Sequence, residues 1–288
     1  MIFLIKKIII FFGFLTSFIN FKYFYNITKL ITFFVDRKTL IKIKLNYNSY
    51  FTFFLKDPYY NRLVYSKFKY EPEIYFLLKK IKKINFLFLD IGANFGFWSI
   101  LISSYEFKKK VLALEPLLSN FKILNLNRLL NKKRFIIKKI GAGEKRKKSK
   151  MFYENDISNA GASVVRKYNK ELFEVIQIET IDNILSKYKN NKIVIKLDIE
   201  ENEINALKGS VNTLKKDCLV IYEDHGGDSS HRNSKYLKNN NFSIFYINKK
   251  KIYEIKDLKK LNKIKKDKNK GYNFVATKSP IFIKYLLN

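Results

Sequence analysis

Residues 88–99 read Phe-Leu-Asp-Ile-Gly-Ala-Asn-Phe-Gly-Phe-Trp-Ser, an apolar run that ends in an acid and enters a Gly-x-x-x-Gly turn. This order is typical of a strand, turn and helix at the ligand-binding edge of an open parallel sheet. The glycines allow positive φ angles and close approach of a ligand, and the helix offers free backbone N–H groups. A dinucleotide-binding turn needs Gly-x-Gly-x-x-Gly, whereas this turn has only Gly92 and Gly96, and Asp90 would repel a pyrophosphate. The turn therefore predicts a cofactor that carries positive charge.

A second acid, Glu115, lies at the end of the next predicted strand and is followed by Pro116. A carboxylate at this position can accept hydrogen bonds from both ribose hydroxyls of an adenosine. The alternative is that an acid before proline only caps the N-terminus of a helix. Taken with the glycine turn, Glu115 predicts an S-adenosylmethionine site. The predicted cofactor-binding residues are Asp90, Gly92, Ala93, Asn94, Gly96, Ser99 and Glu115.

Short apolar runs alternate with helical patterns over most of the chain. Strands are predicted over 86–90, 111–115, 135–140, 192–198, 218–223, 242–247 and 272–277. Such alternation indicates a mostly parallel sheet covered by helices on both faces. Residues 144–178 interrupt the alternation, and we interpret them as an inserted hairpin or lid region with strands at 150–153 and 175–178. We expect short strands within 39–65, a helix from 71 to about 83, and a polar loop at 259–270.

Charged residues follow the strand predicted at 192–198. Lys196, Asp198 and Glu200 alternate with apolar residues, so they would share one side of the strand or its exit. Burying such groups without partners would cost several kcal/mol. A paired Lys and Asp beside a cleft is therefore a candidate for function.

The next strand ends in Tyr-Glu-Asp-His, which brings Glu223 and His225 to the same edge of the sheet. His225 is a candidate general base near neutral pH, which Glu223 or Asp198 could orient. A metal site made of Asp198, Glu223 and His225 is an alternative, although their spacing is not diagnostic. Asp228 and His231 are interpreted as loop residues.

Together these motifs resemble the FkbM-type S-adenosylmethionine-dependent methyltransferases. The family signature runs Asp-[Ile/Val]-Gly-Ala-Asn-x-Gly-x-x-[Ser/Thr], Glu-Pro, Thr-Leu-Asp, Lys-Ile-Asp-Val-Glu-Gly-x-Glu, and a strand that ends in Glu. The matching residues here are 90–99, 115–116, 180–182, 196–203 and Glu223. The chain departs from the signature at Glu201, where the family has glycine.

The resemblance covers about 70–280 and implies an α/β, Rossmann-like class I methyltransferase fold with a mostly parallel seven-stranded sheet flanked by helices. We assign this domain to 71–288, and 1–70 to an apolar, basic extension. The resemblance also implies methyl transfer to oxygen, commonly to a sugar or polyketide hydroxyl. In-line attack on the methyl group needs positioning and a base for the hydroxyl proton. We predict His225 or Asp198 as the base, with Lys196 and Glu200 orienting the base or the acceptor, and no metal.

The net charge allows a second class of acceptor. The chain has 57 Lys+Arg against 25 Asp+Glu, a formal charge of +32, which would favour a nucleic-acid methyltransferase. However, the basic residues are nearly all Lys and lie in every segment, which is typical of a solvated surface set by composition. The Asn/Asp-Pro-Pro-Tyr/Phe motif of base-methylating enzymes is also missing, and 198–201 is acidic instead. We therefore do not expect nucleic acid as a partner. A non-catalytic basic module that binds membranes is the non-enzymatic alternative.

Residues 1–35 are the most apolar part of the chain. The apolar run at 8–21 is too short to span a bilayer. It also departs from a secretory signal, because the apolar residues 1–5 precede Lys6 and Lys7 and no Ala-x-Ala cleavage site follows the run. We interpret it as an interfacial helix whose lysines face anionic headgroups; a helix packed on the main domain and a signal anchor are alternatives. The single cysteine, Cys218, excludes an intramolecular disulfide. We expect a cytoplasmic protein, peripheral at the inner membrane face.

Overall fold

The computed structural model describes residues 1–153, 162–164, 172–248, 250–268 and 271–288. The helices are α1 Ile2–Ser17, α2 Phe24–Ile31, α3 Pro72–Lys80, α4 Phe97–Ser103, α5 Leu118–Leu130, α6 Ile181–Leu185, α7 Glu203–Lys208, α8 Arg232–Asn239, α9 Leu261–Ile264 and α10 Pro280–Leu287. The strands are β1 Leu40–Asn46, β2 Ser49–Phe54, β3 Leu87–Ile91, β4 Lys110–Leu114, β5 Ile136–Lys138, β6 Gly141–Ala142, β7 Lys147–Phe152, β8 Phe173–Glu179, β9 Lys192–Leu197, β10 Asp217–His225, β11 Ser243–Asn248, β12 Lys251–Glu254 and β13 Gly271–Thr277. Short 3-10 helices occur at Asn61–Val64, Thr213–Lys215 and Leu258–Lys260.

The central sheet has the strand order β12-β11-β13-β10-β9-β3-β4-β5 among the described residues. Strands β5, β4, β3, β9 and β10 are parallel, and β13 is antiparallel to both β10 and β11. The predicted α/β class and mostly parallel sheet are confirmed, and each of the seven predicted strands forms. The eighth strand, β12, was not predicted, because it is a short and largely exposed edge strand.

The chain crosses from one half of the sheet to the other between β5 and β9. Strand β3 lies between β4 and β9, with Asp90 beside Lys196 in the parallel register. Ligands of open α/β sheets bind outside the carboxyl ends of the strands at such a reversal of strand order. Residues that follow β3, β4, β9 and β10 therefore meet at one edge. Strand β10 continues past the predicted end at 223 to His225, because its last three residues pair with β13.

The predicted insertion forms a separate sheet with β6, which directly precedes it, and this sheet has three described strands. Strand β7 pairs antiparallel with β8, and β6 pairs parallel with β8. Both β7 and β8 are longer than the strands predicted at 150–153 and 175–178. The parts of the insertion at 154–161 and 165–171 lie outside the described residues, so its interpretation as a lid stays a prediction.

The N-terminal segment packs on the same hydrophobic core as the helices of the central sheet. Ile9, Phe24 and Phe51 belong to one buried cluster with Phe95 and Phe97, which flank the end of the glycine turn. The side-chain amide of an α5 residue, Asn127, links the two parts, since its Nδ2 donates to the main-chain oxygens of both Thr52 and Phe95 at 2.8 Å. The predicted boundary at 70/71 therefore marks a change in sequence character within one packed core. Among the described helices, none combines the length and apolar character needed to cross a membrane.

The expectation of a polar loop at 259–270 was wrong for its first half. A 3-10 turn at Leu258–Lys260 leads directly into α9. The cause is Leu261, which is fully buried in the core and so holds the turn against the sheet despite the surrounding lysines. Lys265, which follows α9, is also buried.

Candidate functional site

The turn after β3 has a backbone that requires glycine at two positions. Gly92 has φ +75° and Gly96 has φ +89°, both in the left-handed region. A Cβ atom on Gly92 would lie 1.9 Å from the main-chain oxygen of Asp198, and one on Gly96 would lie 2.5 Å from Cδ1 of Leu124. The turn thus packs directly against the exit of β9 on one side and against α5 on the other.

Asp90 and Ser99 face each other across this turn. Ser99 Oγ, at the start of α4, donates to Asp90 Oδ2 at 2.6 Å, and both residues are buried. Burial raises the pKa of Asp90, while Lys196 and the Ser99 hydrogen bond act to lower it. The carboxylate is therefore held at a fixed position at the base of the turn, beside the carboxyl end of β9.

Glu115 is fixed by main-chain donors. Its Oε2 accepts from the N–H of Asn94 at 2.9 Å, and its Oε1 accepts from the N–H of Leu117 at 3.0 Å. Burial raises the pKa of Glu115 to about 7, and the two backbone hydrogen bonds oppose that rise. The carboxylate both orders the turn and keeps lone pairs for further donors. It is more than a helix cap, because one of its donors belongs to the glycine turn.

The turn fits the predicted cofactor. Asn94 takes a positive φ of 50°, and its buried Oδ1 has no hydrogen-bond partner among the described residues. An orphaned acceptor of this kind calls for an external donor, since a buried polar atom without a partner costs about 1–3 kcal/mol. With Asp90, Glu115 and this oxygen, the turn presents acceptors to a ligand that is rich in donors and carries positive charge. The hydroxyls, amino groups and sulfonium of S-adenosylmethionine match that description.

Lys196 is enclosed by carboxylates at the end of β9. Its Nζ donates to Asp198 Oδ2 at 2.7 Å. Burial alone would lower the pKa of Lys196, but the carboxylates of Asp198, Glu71 and Asp90 together raise it above its ordinary value. Lys196 is therefore a permanent cation that neutralises and orients Asp198.

Glu71 is a residue of this site that the sequence analysis did not identify. It precedes α3 with φ 43°, and its carboxylate accepts from Trp98 Nε1 at 2.6 Å and from Asn273 Nδ2 at 3.1 Å. Burial raises the pKa of Glu71, and Lys196 lowers it. In the sequence, Glu71 before Pro72 indicates only the start of a helix. Nothing in the local sequence indicates the contacts of Glu71 with Trp98 and Asn273.

An open cleft lies at the carboxyl ends of β9 and β10. Seven of its ten described lining residues are acidic, although the whole chain carries a charge of +32. The lining consists of Asp198, Glu200, Glu201, Glu203, Glu223, Asp224, His225, Asp228, Arg232 and Asn233. Burial, followed by repulsion from the neighbouring carboxylates, raises the pKa of Glu223 to about 9. Burial also raises the pKa of Glu203 to about 7.

The cleft brings together three of the four predicted catalytic residues, Asp198, Glu200 and His225. Lys196 is outside the lining and contacts the cleft through Asp198. His225 Nδ1 accepts from the N–H of Gly227 at 3.1 Å, which leaves the proton of the neutral ring on Nε2. Within the described residues, no group of three or more His, Cys, Asp or Glu side chains has an arrangement that could hold a metal ion.

Three solved structures are similar to the chain at low identity. The precorrin-6y C5,15-methyltransferase of Geobacter metallireducens is 11% identical, with a TM-score of 0.40 over 73% of this chain and 88% of that chain. The ribosomal protein L11 methylase of Lactobacillus delbrueckii is 12% identical, with a TM-score of 0.40 over 83% of this chain and 98% of that chain. The S-adenosylmethionine-dependent O-methyltransferase of Thermotoga maritima is 11% identical, with a TM-score of 0.38 over 74% and 66%.

The sequence itself matches a family model. No curated protein matches the chain, but residues 90–255 match the methyltransferase FkbM domain, which is more than half of the chain. The matched range begins at Asp90 and includes the glycine turn, Glu115 and both strands that end at the cleft. The resemblance inferred from the motifs is thereby confirmed, and S-adenosylmethionine is the cofactor. The chain belongs to the FkbM family and is an S-adenosylmethionine-dependent methyltransferase.

Proposed function

We propose that the enzyme transfers the methyl group to a hydroxyl oxygen of a sugar, in a glycan or a lipid-linked saccharide of polysaccharide biosynthesis. The acid-lined cleft beside the cofactor turn carries this proposal. Carboxylates accept hydrogen bonds from hydroxyl groups, and several of them can bind several hydroxyls of one sugar. The same carboxylates repel phosphodiesters, so the cleft disfavours the nucleic-acid acceptor that the net charge of the chain would favour.

The reaction needs a base that receives the hydroxyl proton as oxygen attacks carbon. When bound, S-adenosylmethionine supplies an electrophilic methyl group on a sulfonium. Asp198 is our candidate base, because it lines the cleft and one of its carboxylate oxygens is fixed by Lys196 while the other has no described hydrogen bond. Glu200, which also follows β9 and lines the cleft, would accept a hydrogen bond from another hydroxyl of the acceptor.

His225 suits a different task in its observed geometry. Because its Nδ1 lone pair accepts from Gly227, the Nε2–H is the group available to an acceptor in the cleft. In this tautomer His225 donates to the substrate, and it becomes a base only if the Gly227 hydrogen bond breaks. The two roles predict different effects of substitution at His225.

A methyl-transfer screen tests the proposed acceptor class. The full-length protein is incubated with S-adenosylmethionine carrying a labelled methyl group, together with methyl glycosides, lipid-linked oligosaccharides, total RNA or double-stranded DNA. We expect label in base-stable ether linkage on the saccharides. Label in RNA or DNA, with none in the saccharides, would contradict the proposal. Calorimetry with S-adenosylmethionine alone identifies active protein and tests the non-catalytic alternative.

We further propose that residues 1–35 attach the enzyme to the inner membrane face. The segment has four lysines and no acidic residue, and α1, α2 and the turn after them expose large apolar side chains. The most exposed among them include Phe3, Phe18, Leu30 and Phe34. An apolar surface bordered by lysines is complementary to a bilayer that contains anionic lipid.

Vesicle sedimentation tests the attachment with a matched control. Phe34→Ser removes a side chain that is 88% exposed, and Tyr47→Ser removes one that is 85% exposed in the turn between β1 and β2. We expect Phe34→Ser to weaken binding to vesicles with anionic lipid by about tenfold, since a phenylalanine side chain contributes roughly 1.5–3 kcal/mol when fully buried. Tyr47→Ser should have no effect. Equal binding of the two variants would contradict a docking face at 1–35.

A further inference from the structure

A buried ammonium group lies directly behind the acceptor cleft. Lys265 belongs to the lysine-rich run at 259–268, yet it is only 5% exposed. Its Nζ lies 2.8 Å from Asp224 Oδ1, 2.6 Å from the main-chain oxygen of Asp228 and 3.0 Å from His231 Nδ1. An ammonium has three protons, so these contacts satisfy Lys265 completely.

The contact with Asp224 connects Lys265 to the last residues of β10. Asp224 is fully buried between Glu223 and His225 in sequence, and its second oxygen accepts from Ser234 Oγ at 2.8 Å. Since the Ser234 proton is directed to Asp224, the Tyr222 hydroxyl donates to Ser234 Oγ, also at 2.8 Å. This network ties the end of the strand to α8.

The other two contacts hold the loop between β10 and α8. His231 Nδ1 must accept from the ammonium, so the ring proton resides on Nε2 and is donated to Asn262 Oδ1 at 2.9 Å. His231 has φ 52° and directly precedes α8, whose first two residues, Arg232 and Asn233, line the cleft. Asp228 also lines the cleft and binds Arg232 through its carboxylate at 3.3 Å.

The backbone after Lys265 covers the same loop closely. A Cβ atom on Gly226 would lie 1.9 Å from the main-chain oxygen of Asp267, and one on Gly227 would lie 3.3 Å from that of Lys268. Glycine is therefore needed at 226 for the two chain segments to approach each other, and position 227 is tightly packed. Because Gly227 also donates to His225, a displacement of this loop would move the imidazole in the cleft.

We propose that Lys265 is a positioning residue for acceptor binding. Its ammonium holds the loop at 226–231 against β10, and the loop in turn fixes His225, Asp228 and Arg232 on one wall of the cleft. Lys265 itself is outside the cleft lining, and β9 separates β10, to which it binds, from β3 and the cofactor turn. Its loss should therefore affect the acceptor and leave the cofactor in place. This inference rests on the proposed function only in taking the cleft as the acceptor site.

The test compares two lysines of the same run. Lys265→Met leaves the buried Asp224 without its cation, which is strongly destabilising, so the double variant Lys265→Met with Asp224→Asn is made beside it. Because Asp224 itself lines the cleft, Asp224→Asn alone shows how much of a change in KM comes from that residue. Lys266→Met, at an exposed neighbour, is the control. The full-length proteins are assayed with the methyl glycoside that has the highest turnover in the screen above. We expect the double variant to raise the acceptor KM at least tenfold and to change the dissociation constant of S-adenosylmethionine less than twofold.

Amide hydrogen exchange separates this inference from the proposed function, because it needs no acceptor. In the double variant we expect exchange at 226–231 to accelerate at least tenfold, with no change at 90–99. Unchanged exchange at 226–231 would overturn the proposal that Lys265 holds this loop against β10. Accelerated exchange with an unchanged acceptor KM would overturn the positioning role. If the wild-type enzyme methylates no saccharide, the proposed function is contradicted. The exchange result still tests whether Lys265 orders the loop at 226–231.

Discussion

The glycine turn and the acid-lined cleft lie side by side at one edge of the sheet, but different interactions shape them. The turn is shaped by main-chain contacts: Gly92 and Ala93 both donate to the Leu114 oxygen at 3.0 Å, and two positions exclude any side chain. The cleft is shaped by ionic side chains, such as the Lys196–Asp198 and Lys265–Asp224 pairs at 2.7 and 2.8 Å.

This difference predicts how each region responds to substitution. Because main-chain contacts shape the turn, substitution of its glycines should impair both cofactor binding and folding. A cleft held by side chains admits single substitutions that alter the rate or the acceptor while the fold persists. The four predictions that follow test that contrast, beginning with the largest expected effect.

Gly92→Ala should abolish S-adenosylmethionine binding and lower the free energy of unfolding by roughly 2–5 kcal/mol. The added Cβ would lie 1.9 Å from the Asp198 oxygen, and alanine disfavours φ +75°. Calorimetry and thermal unfolding measure the two effects. Gly141→Ala is the control, because its nearest neighbour would lie at an ordinary 3.4 Å. Wild-type affinity in Gly92→Ala would show that the turn tolerates side chains as the cleft does.

Asp198→Asn should lower kcat by at least about 100-fold, on the usual scale of general-base contributions. His225→Gln should lower kcat by about tenfold or less, because the imidazole donates a hydrogen bond in its observed tautomer. The dissociation constant of S-adenosylmethionine should stay within threefold of the wild-type value in both variants. Single-turnover methyl transfer and calorimetry measure these quantities. A 100-fold loss in His225→Gln with little loss in Asp198→Asn would assign the base to His225.

Raising the pH from 6 to 8 should strengthen S-adenosylmethionine binding by about tenfold. Burial raises the pKa of Glu115 to about 7, so its carboxylate ionises in this interval and accepts ribose hydroxyls more strongly. The same shift makes the folded state hold a proton that the unfolded chain releases, so Glu115 lowers stability by about 3 kcal/mol between its unfolded pKa and pH 7. Calorimetry across the pH range measures the affinity.

Glu115→Gln is the matched variant for this pH dependence. It keeps the volume and one acceptor oxygen but does not titrate, so its affinity should be lower at pH 8 and almost independent of pH. The acceptor KM should be unaffected, since Glu115 is outside the cleft lining. A pH profile that persists in Glu115→Gln would assign the titration to another group, such as Asp90.

The sequence was sufficient to predict the features that depend on local order. Asp90, Gly92 and Gly96 were predicted from their spacing along one strand and turn, and Glu115 from its place at the end of the next strand. Each lies where the parallel sheet brings strand ends together. Short apolar runs also predicted the seven main strands, and all of them except β5 contain several buried apolar residues.

The features that the sequence did not reveal depend on partners distant in the chain. Glu71 is held by Asn273, and Lys265 is buried by Asp224 and His231. One lysine in a lysine-rich run is indistinguishable from its neighbours until the tertiary fold provides its acceptors. Asp228 and His231 were interpreted as loop residues, and they do lie in a loop, but the contacts that order it were not predictable.

Glu201→Gly should stabilise the protein slightly, by about 1 kcal/mol or less. Glu201 replaces a glycine of the family signature, and its φ is 70°, which costs a residue with a side chain about 1–2 kcal/mol. The greater freedom of glycine in the unfolded chain offsets part of this gain. Thermal unfolding should show a rise in Tm of about 2 °C.

Glu201→Gln distinguishes the two possible causes of this gain. It removes a carboxylate from the crowded cleft but leaves a side chain at φ 70°. If backbone strain is the cause, Glu201→Gln should gain clearly less stability than Glu201→Gly. Equal gains would assign the effect to charge repulsion. In that case side-chain charge would limit stability at Glu201, although its backbone has the same left-handed conformation as the glycine turn. A larger gain for glycine would show that backbone conformation limits stability at this position of the cleft, as it does at Gly92 and Gly96.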